Sequence, residues 1–204
     1  MSKIAIIGAT GRAGSQLLEE ALRRGHSVTA IARNTAKIGE RAGVVSKQLD
    51  VLDSEALIAA IDGHDVVISA AHFASVPADK LIAPVKAAGV KRLLVVGGAG
   101  SLLLPDNSRV IDSEGFPEEY LAEASAGALF LDVLRTEQDL DWTFLSPSAE
   151  FVETERTGQF RVGKDHLLFD DTGRSWISFA DYAIAMIDEV ETPQFSRTRF
   201  TVGY

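Results

Sequence analysis

Three glycines stand near the start of the chain, as Gly8, Gly11 and Gly14 in KIAIIGATGRAG (3–14). An apolar run precedes them and a helical pattern follows, so they fall where a strand turns into a helix. The first turn of a helix has unpaired N–H groups and a partial positive charge, which a diphosphate can approach only where no side chain intervenes. The spacing therefore favours a dinucleotide-binding loop over a purely structural turn. Its predicted contacts come from Gly8, Thr10, Gly11, Arg12, Ala13 and Gly14.

The end of the second predicted strand bears on the choice of cofactor. An NAD site usually has Asp or Glu here to accept from the ribose 2′-hydroxyl, whereas this chain has Ala32 followed by Arg33. Because a guanidinium can pair with a 2′-phosphate, the pattern favours NADP(H) over NAD(H). The alternative interpretation of Arg33 is a solvated loop charge. Asp50 and Val51 follow the third strand, where they could hold the adenine or simply lead into a helix.

The remaining candidates follow later strands, because ligands of open α/β sheets bind at the carboxyl ends of the strands. His72 and Ser101 are the candidate catalytic residues, with His72 interpreted as a substrate contact or proton donor, or else as a hydrogen-bonded loop residue. Arg156 and Arg161 could contact an anionic acceptor or be solvated. No His, Asp and Glu cluster has metal-ligand spacing, so no metal site is predicted. GGAGS (97–101) could let the nicotinamide approach its backbone, or be a glycine-rich loop without a ligand. The cofactor contacts predicted at this edge come from Ala70, Ala71, Gly97, Gly98 and Pro147.

Short β-branched runs alternate with helical patterns and must position these residues. The alternation predicts a Rossmann-like, doubly wound α/β fold with a mostly parallel sheet. Predicted strands are Lys3–Ile7, Ser27–Ile31, Val44–Gln48, Asp65–Ser69, Arg92–Val96 and Trp142–Leu145. One predicted helix follows the first strand, and others cover Ser54–Ile61, Ala78–Ala88 and Glu118–Leu140.

The last quarter of the chain breaks this alternation. Gly158–Asp171 has the pattern of two short strands around a turn, and Arg199–Val202 that of a final strand. Ser178 and Asp181 have the spacing of a capping box ahead of a helix. We predict one domain over residues 1–204, with about 148–178 as a small elaboration on the substrate side.

Composition limits the possible classes of protein. The chain has 204 residues and a net charge of −9, which disfavours nucleic acid and anionic membranes as partners. It has no cysteine, so disulfides and thiolate chemistry are excluded. No apolar run approaches the length of a membrane span. We expect a cytoplasmic protein, monomeric or homodimeric.

Several blocks together resemble the NADH-flavin reductase group. These proteins are atypical short-chain dehydrogenase/reductase relatives, close to the biliverdin reductase B/flavin reductase proteins and the wider NmrA-like set. The first block is shared by many NAD(P)-binding proteins, whereas the later ones are more particular to the group. The blocks are IGATGRAG, GHSVTAIAR, DWTFLSPSAEF, ERTGQFRVGKD, SWISFADYAIAMIDEVE and RFTVGY, which span nearly the whole chain.

The resemblance implies an NAD(P)H-dependent oxidoreductase that passes a hydride to a planar small-molecule acceptor, with FMN, FAD or riboflavin as candidate substrates. The chain departs from many short-chain dehydrogenases because it has no Tyr-x-x-x-Lys: Tyr120 is followed four residues later by Ala124, and Tyr182 by Met186. Flavin reduction needs mainly proximity of two rings and a proton from water, so it suits such a site. The alternatives are a non-catalytic NAD(P)-binding redox sensor of the NmrA-like type, or an epimerase-like isomerase.

Overall fold

The computed structural model describes all 204 residues, Met1–Tyr204. None of its α-helices combines the length and the hydrophobicity that a bilayer crossing requires. The strands are β1 (Lys3–Ile7), β2 (Ser27–Ala32), β3 (Val44–Gln48), β4 (Val66–Ser69), β5 (Arg92–Val96), β6 (Asp141–Ser146), β7 (Glu150–Val152), β8 (Arg161–Gly163), β9 (Trp176–Ser178) and β10 (Thr198–Gly203). The α-helices are α1 (Arg12–Arg23), α2 (Ser54–Ile61), α3 (Ala78–Ala87), α4 (Glu118–Thr136) and α5 (Phe179–Glu191).

Eight strands form one sheet in the order β3-β2-β1-β4-β5-β6-β10-β8. Neighbouring strands are parallel except β10 and β8, which are antiparallel. This arrangement confirms the predicted Rossmann-like fold. The strand order reverses between β1 and β4, so a crevice opens at the carboxyl ends of these two strands.

The central strands are buried on both faces because their alternate residues enter two separate cores. In β1, Ile4 and Ile6 belong to a core under α1 and α5, and Ala5 to a core under α2, α3 and α4. Full burial of an aliphatic side chain stabilises the fold by about 1.5–3 kcal/mol. The loop after β1 therefore starts from a strand that is fixed on both sides.

The predicted elements match the structure except at α4 and in the last quarter of the chain. Helix α4 ends at Thr136 rather than at Leu140. The reason is Glu137, whose carboxylate accepts from the N–H of Asp139 at 2.7 Å and from Lys86 at 3.1 Å. These contacts turn the chain out of the helix before β6.

The hairpin predicted over 158–171 is wrong. Only β8 forms there, and it pairs with the exposed edge of β10 instead of with the residues that follow it. Those residues run beside the loop after β5, where the N–H of Leu103 donates to the Asp165 carbonyl at 2.8 Å. Strands β7 and β9 form a separate parallel pair that the sequence pattern did not predict.

The predicted capping box at α5 is only half formed. The Ser178 hydroxyl accepts from the N–H of Asp181 at 2.9 Å, but the Asp181 carboxylate does not return to Ser178. It accepts instead from the N–H groups of Thr157 and Gly158, each at 2.9 Å, and from the Tyr204 hydroxyl at 2.6 Å. This fully buried carboxylate therefore fixes both the 157–158 loop and the C-terminal residue onto α5.

Candidate functional site

The glycine-rich loop leaves β1 and enters α1 with little room for side chains. Gly8 has a positive φ of 78°, and a Cβ on it would lie 2.7 Å from the carbonyl oxygen of Ala70. A Cβ on Gly14 would lie 2.1 Å from the carbonyl oxygen of Gly8. Packing of the protein on itself thus excludes a side chain at both positions.

Gly11 differs, because the protein leaves space around it. It is the N-cap residue of α1, its backbone is extended, and a Cβ there would meet only the Gly8 carbonyl oxygen, at 3.3 Å. No side chain caps α1, and the N–H groups of Arg12, Ala13 and Gly14 have no hydrogen-bond partner in the protein. Three free donors at a helix N-terminus, in front of a residue without a side chain, fit the diphosphate of a dinucleotide.

The ends of β4, β5 and β6 lie along the same edge of the sheet. The N–H of Ala70 donates to the Ile7 carbonyl at 2.8 Å, so Ala70 and Ala71 lie beside the glycine-rich loop. Pro147 directly follows β6, the strand next to β5. The topology therefore brings Ala70 and Ala71 to the crevice, and Pro147 to the same edge of the sheet two strands away.

The two glycines after β5 serve different purposes. A Cβ on Gly97 would lie 2.4 Å from the Phe144 ring, so core packing alone requires this glycine. A Cβ on Gly98 would have no atom within 4 Å, so Gly98 borders open space. Of the two, only Gly98 has the free surroundings that a ligand contact needs.

The residues predicted to contact the adenosine end of the cofactor lie in different environments. Arg33 is exposed and makes no hydrogen bond or ion pair within the protein. The Asp50 carboxylate accepts from the N–H of Leu52 at 3.0 Å, which fits its alternative interpretation as a turn residue leading to α2. Val51 packs against the core under α2, α3 and α4. The Arg12 guanidinium lies 5.3 Å from the centre of the Phe179 ring, a cation–π contact.

The two candidate catalytic side chains have different environments. The His72 side chain is 83% exposed, and its Nδ1 lies 3.4 Å from a carboxylate oxygen of Glu123 on α4. The Ser101 hydroxyl accepts from the Arg199 guanidinium at 3.3 Å. Arg199 is buried on β10 and also pairs with Asp165 at 2.6 Å. The Ser101 hydroxyl is thus fixed by a buried arginine, whereas the His72 side chain extends into solvent.

Arg156 and Arg161 are engaged within the fold. Arg156 pairs with the carboxylate of Glu20 on α1 at 2.9 Å. Burial raises the pKa of Glu20, but hydrogen bonds from Arg156 and Arg24 outweigh burial and hold that pKa below its ordinary value. Arg161 donates to the backbone carbonyls of Phe169 and Tyr204. Both guanidinium groups thus have partners within the fold while remaining exposed, and contact of either with an anionic acceptor stays a prediction.

Sequence reasoning missed Glu123 and Arg199. Glu123 contacts residues about 50 positions earlier in the chain, and Arg199 contacts Ser101, which is 98 positions away. No local spacing marks such pairs.

Comparison with known proteins agrees with this geometry. The model of a family described as NAD(P)H-binding matches residues 8–190. The chain belongs to this NAD(P)H-binding family. The matched range begins at Gly8, the first glycine of the loop, and ends one residue before the end of α5, so the match covers six of the eight strands of the main sheet as well as the dinucleotide loop.

Three solved structures resemble this NAD(P)H-binding protein over nearly their whole length. A candidate exported protein of Burkholderia pseudomallei is 44% identical, with a TM-score of 0.90 and full coverage of both chains. A candidate epimerase of Bacteroides thetaiotaomicron is 43% identical, with a TM-score of 0.94, covering 100% of this chain and 97% of its own. A candidate NADH-flavin reductase of Streptococcus pneumoniae is 35% identical, with a TM-score of 0.86, covering 100% and 99%. The last of these confirms the resemblance to the NADH-flavin reductase group.

Proposed function

We propose that the protein is an NAD(P)H-dependent reductase that passes a hydride to a flavin-like or other planar acceptor, with NADP(H) as the preferred cofactor. The observation that carries the proposal is the set of free N–H groups at the start of α1, in front of Gly11. The similarity to the S. pneumoniae candidate NADH-flavin reductase supports the reaction.

The residues of the chain bind and orient, and a bound nicotinamide dinucleotide would supply the hydride. The N–H groups of Arg12, Ala13 and Gly14 would hold the diphosphate by charge-assisted hydrogen bonds. The exposed, unpaired Arg33 would hold a 2′-phosphate, which explains a preference for NADP(H). Gly98 would leave room for the nicotinamide end. Each of these contacts remains a prediction.

The environments of Tyr182 and Tyr204 favour an acceptor whose reduction does not need a tyrosine as proton donor. Tyr182 is fully buried and donates to the Leu145 carbonyl at 2.6 Å, and burial raises its pKa well above the usual range. Tyr204 donates to the buried Asp181. Carbonyl reduction by a Tyr–Lys pair is therefore disfavoured, whereas reduction of a stacked planar ring requires mainly orientation.

The test is a turnover assay with purified protein, NADPH or NADH, and either riboflavin or FMN. We expect loss of absorbance at the nicotinamide band and a higher kcat/KM for NADPH than for NADH. Tight binding of NADPH without turnover across flavins, quinones and biliverdin would contradict a reductase and favour a redox sensor.

The second candidate is an epimerase-like isomerase, which the similarity to the B. thetaiotaomicron protein favours. An isomerase that returns the hydride to its substrate consumes no cofactor. Epimerisation of a substrate at constant NAD(P)H absorbance would support it over the reductase.

We also propose a cytoplasmic location and a monomeric or homodimeric state. The similar B. pseudomallei protein is called a candidate exported protein, so the compartment needs its own measurement. Cell fractionation and sedimentation velocity test the two points separately.

A further inference from the structure

The turn after β4 is held by a carboxylate from a helix far along the chain. Glu123 of α4 accepts from the N–H of Phe73 at 2.7 Å and from that of Ala74 at 2.9 Å. The same carboxylate lies 3.4 Å from Nδ1 of His72. Both oxygens of Glu123 thus face this turn, and the exposed imidazole lies at the edge of the contact.

Packing fixes both partners of this contact. The Phe73 side chain enters the core and lies 5.1 Å from Phe130 and 5.8 Å from Phe144, measured between ring centres. A Cβ on Gly127 of α4 would lie 2.9 Å from the Phe73 ring. The absence of a side chain at Gly127 therefore lets α4 approach the turn closely enough for Glu123 to reach the backbone.

We propose that Glu123 is the positioning residue of the acceptor site and that it holds His72 ready to donate a proton. Glu123 is the charged group nearest to Nδ1, at 3.4 Å, and a carboxylate beside one ring nitrogen favours the proton on that nitrogen. Nε2 makes no hydrogen bond or ion pair within the protein, and the 83% exposure of the side chain leaves it open to an acceptor bound at this edge of the sheet.

The proposal rests on the proposed reductase function for its chemistry. Reduction of a planar acceptor by two electrons adds one hydride, supplied by the reduced dinucleotide, and one proton. The N–H bond at Nε2 of the imidazolium breaks, a bond from hydrogen to the reduced acceptor forms, and solvent then returns a proton to Nε2. The imidazole that remains keeps its proton on Nδ1, against Glu123.

Nuclear magnetic resonance of the ring nitrogens tests the positioning without any turnover. The chain has four histidines, so a histidine-labelled sample gives a simple spectrum, and H72N assigns the signal of His72. In the neutral ring we expect the Nδ1–H form in the wild type and mainly the Nε2–H form in E123Q. Glu119 is exposed on the same helix and makes no hydrogen bond, so E119Q is the control and leaves the His72 signal unchanged.

Kinetics test the consequence. We expect H72N to lower kcat for riboflavin about tenfold, below the roughly 10²–10⁴-fold effect of general acid catalysis because water replaces the donor in part. E123Q lowers kcat about 3–10-fold with KM nearly unchanged, whereas E119Q and H166N leave both values unchanged. Thermal melting shows whether E123Q is folded.

The two proposals fail in distinguishable ways. A wild-type His72 in the Nε2–H form, or a tautomer that E123Q leaves unchanged, overturns the positioning role whether or not flavins are reduced. The expected tautomers without flavin turnover overturn the reductase instead. Equal losses of kcat in E123Q and E119Q would assign the effect to the charge of α4 and not to the contact with His72.

Discussion

Replacing Gly11 with valine separates the binding role of the glycine-rich loop from its structural role. The backbone of Gly11 is extended, with φ of −75° and ψ of 172°, which valine adopts without strain. A Cβ there meets only the Gly8 carbonyl oxygen, at 3.3 Å, so a shift of a few tenths of an ångström accommodates it. The fold should therefore survive the change.

The magnitudes follow from these contacts. Loss of a favourable N-cap residue costs about 1–2 kcal/mol, which lowers Tm by about 2–8 °C in a chain of this length. The valine side chain would occupy the space before the free N–H groups of α1. Loss of one charge-assisted hydrogen bond costs about 1.5–3 kcal/mol, so the affinity for NADPH falls about 10–150-fold.

Gly14→Ala is the matched comparison. Its Cβ would lie 2.1 Å from the Gly8 carbonyl oxygen, so α1 must move away from the loop. We expect this variant to lose much more stability than Gly11→Val. Differential scanning calorimetry gives both Tm values, and isothermal titration calorimetry gives both affinities for NADPH. An unchanged affinity in Gly11→Val would refute the placement of the diphosphate at this loop.

Three further perturbations test other parts of the structure. Arg33→Ala should weaken NADPH about 10–150-fold and NADH little, because a charge-assisted bond to the 2′-phosphate is lost; equal weakening in titration calorimetry argues against that contact. Glu20→Gln should destabilise the fold by about 1–3 kcal/mol in urea at pH 7, since the guanidinium groups of Arg24 and Arg156, which donate hydrogen bonds to Glu20, lose their charged partner. The pKa of Glu20 in the folded protein lies below its ordinary 4.5, so the wild type is more stable than Glu20→Gln above pH 4.5 and loses this extra stability as the pH falls through the folded pKa. An equal difference in unfolding free energy between the two proteins at pH 7 and at pH 3 would contradict a stabilising role of the Glu20 charge. Tyr182→Phe should cost about 1 kcal/mol in the same urea assay, because the Leu145 carbonyl still accepts from Gly97 at 2.8 Å; a loss several times larger would mean that the hydroxyl has another role.

The parts of the structure that were predictable from sequence are those that a local pattern encodes. The strand–glycine–helix junction at residues 3–14 and the alternation of strands and helices determine the doubly wound sheet, and both agree with the structure. The pairing partners of strands β8 and β9 could not be predicted from the sequence. Each has three residues, and its partner is chosen by which sheet edge lies nearby in the folded chain.

The candidate site divides in the same way. The spacing of glycines predicts Gly8, Gly11 and Gly14 but not their different roles, which depend on contacts with Ala70 and within the loop. Glu123 carries no sequence signal, because a carboxylate that accepts from backbone N–H groups requires no particular side chain at its partner positions.

The use of carboxylates to hold backbone also explains how a chain of net charge −9 can present a site for a phosphate-rich ligand. Asp50, Glu123 and Asp181 each accept from N–H groups of a neighbouring turn or loop, so their oxygens are engaged by the backbone of the protein itself. The groups left free on this side of the sheet are donors: the N–H groups at the start of α1 and the Arg33 guanidinium. Hydrogen-bond donors and a helix N-terminus act on a ligand over a few ångströms, whereas distant surface charge is screened within about 8 Å at physiological salt. The local groups therefore determine which ligand binds. The affinity for NADPH should therefore depend more on Gly11→Val than on removal of exposed carboxylates elsewhere, such as Glu119→Gln, and titration of both variants at 0.15 M salt measures the difference.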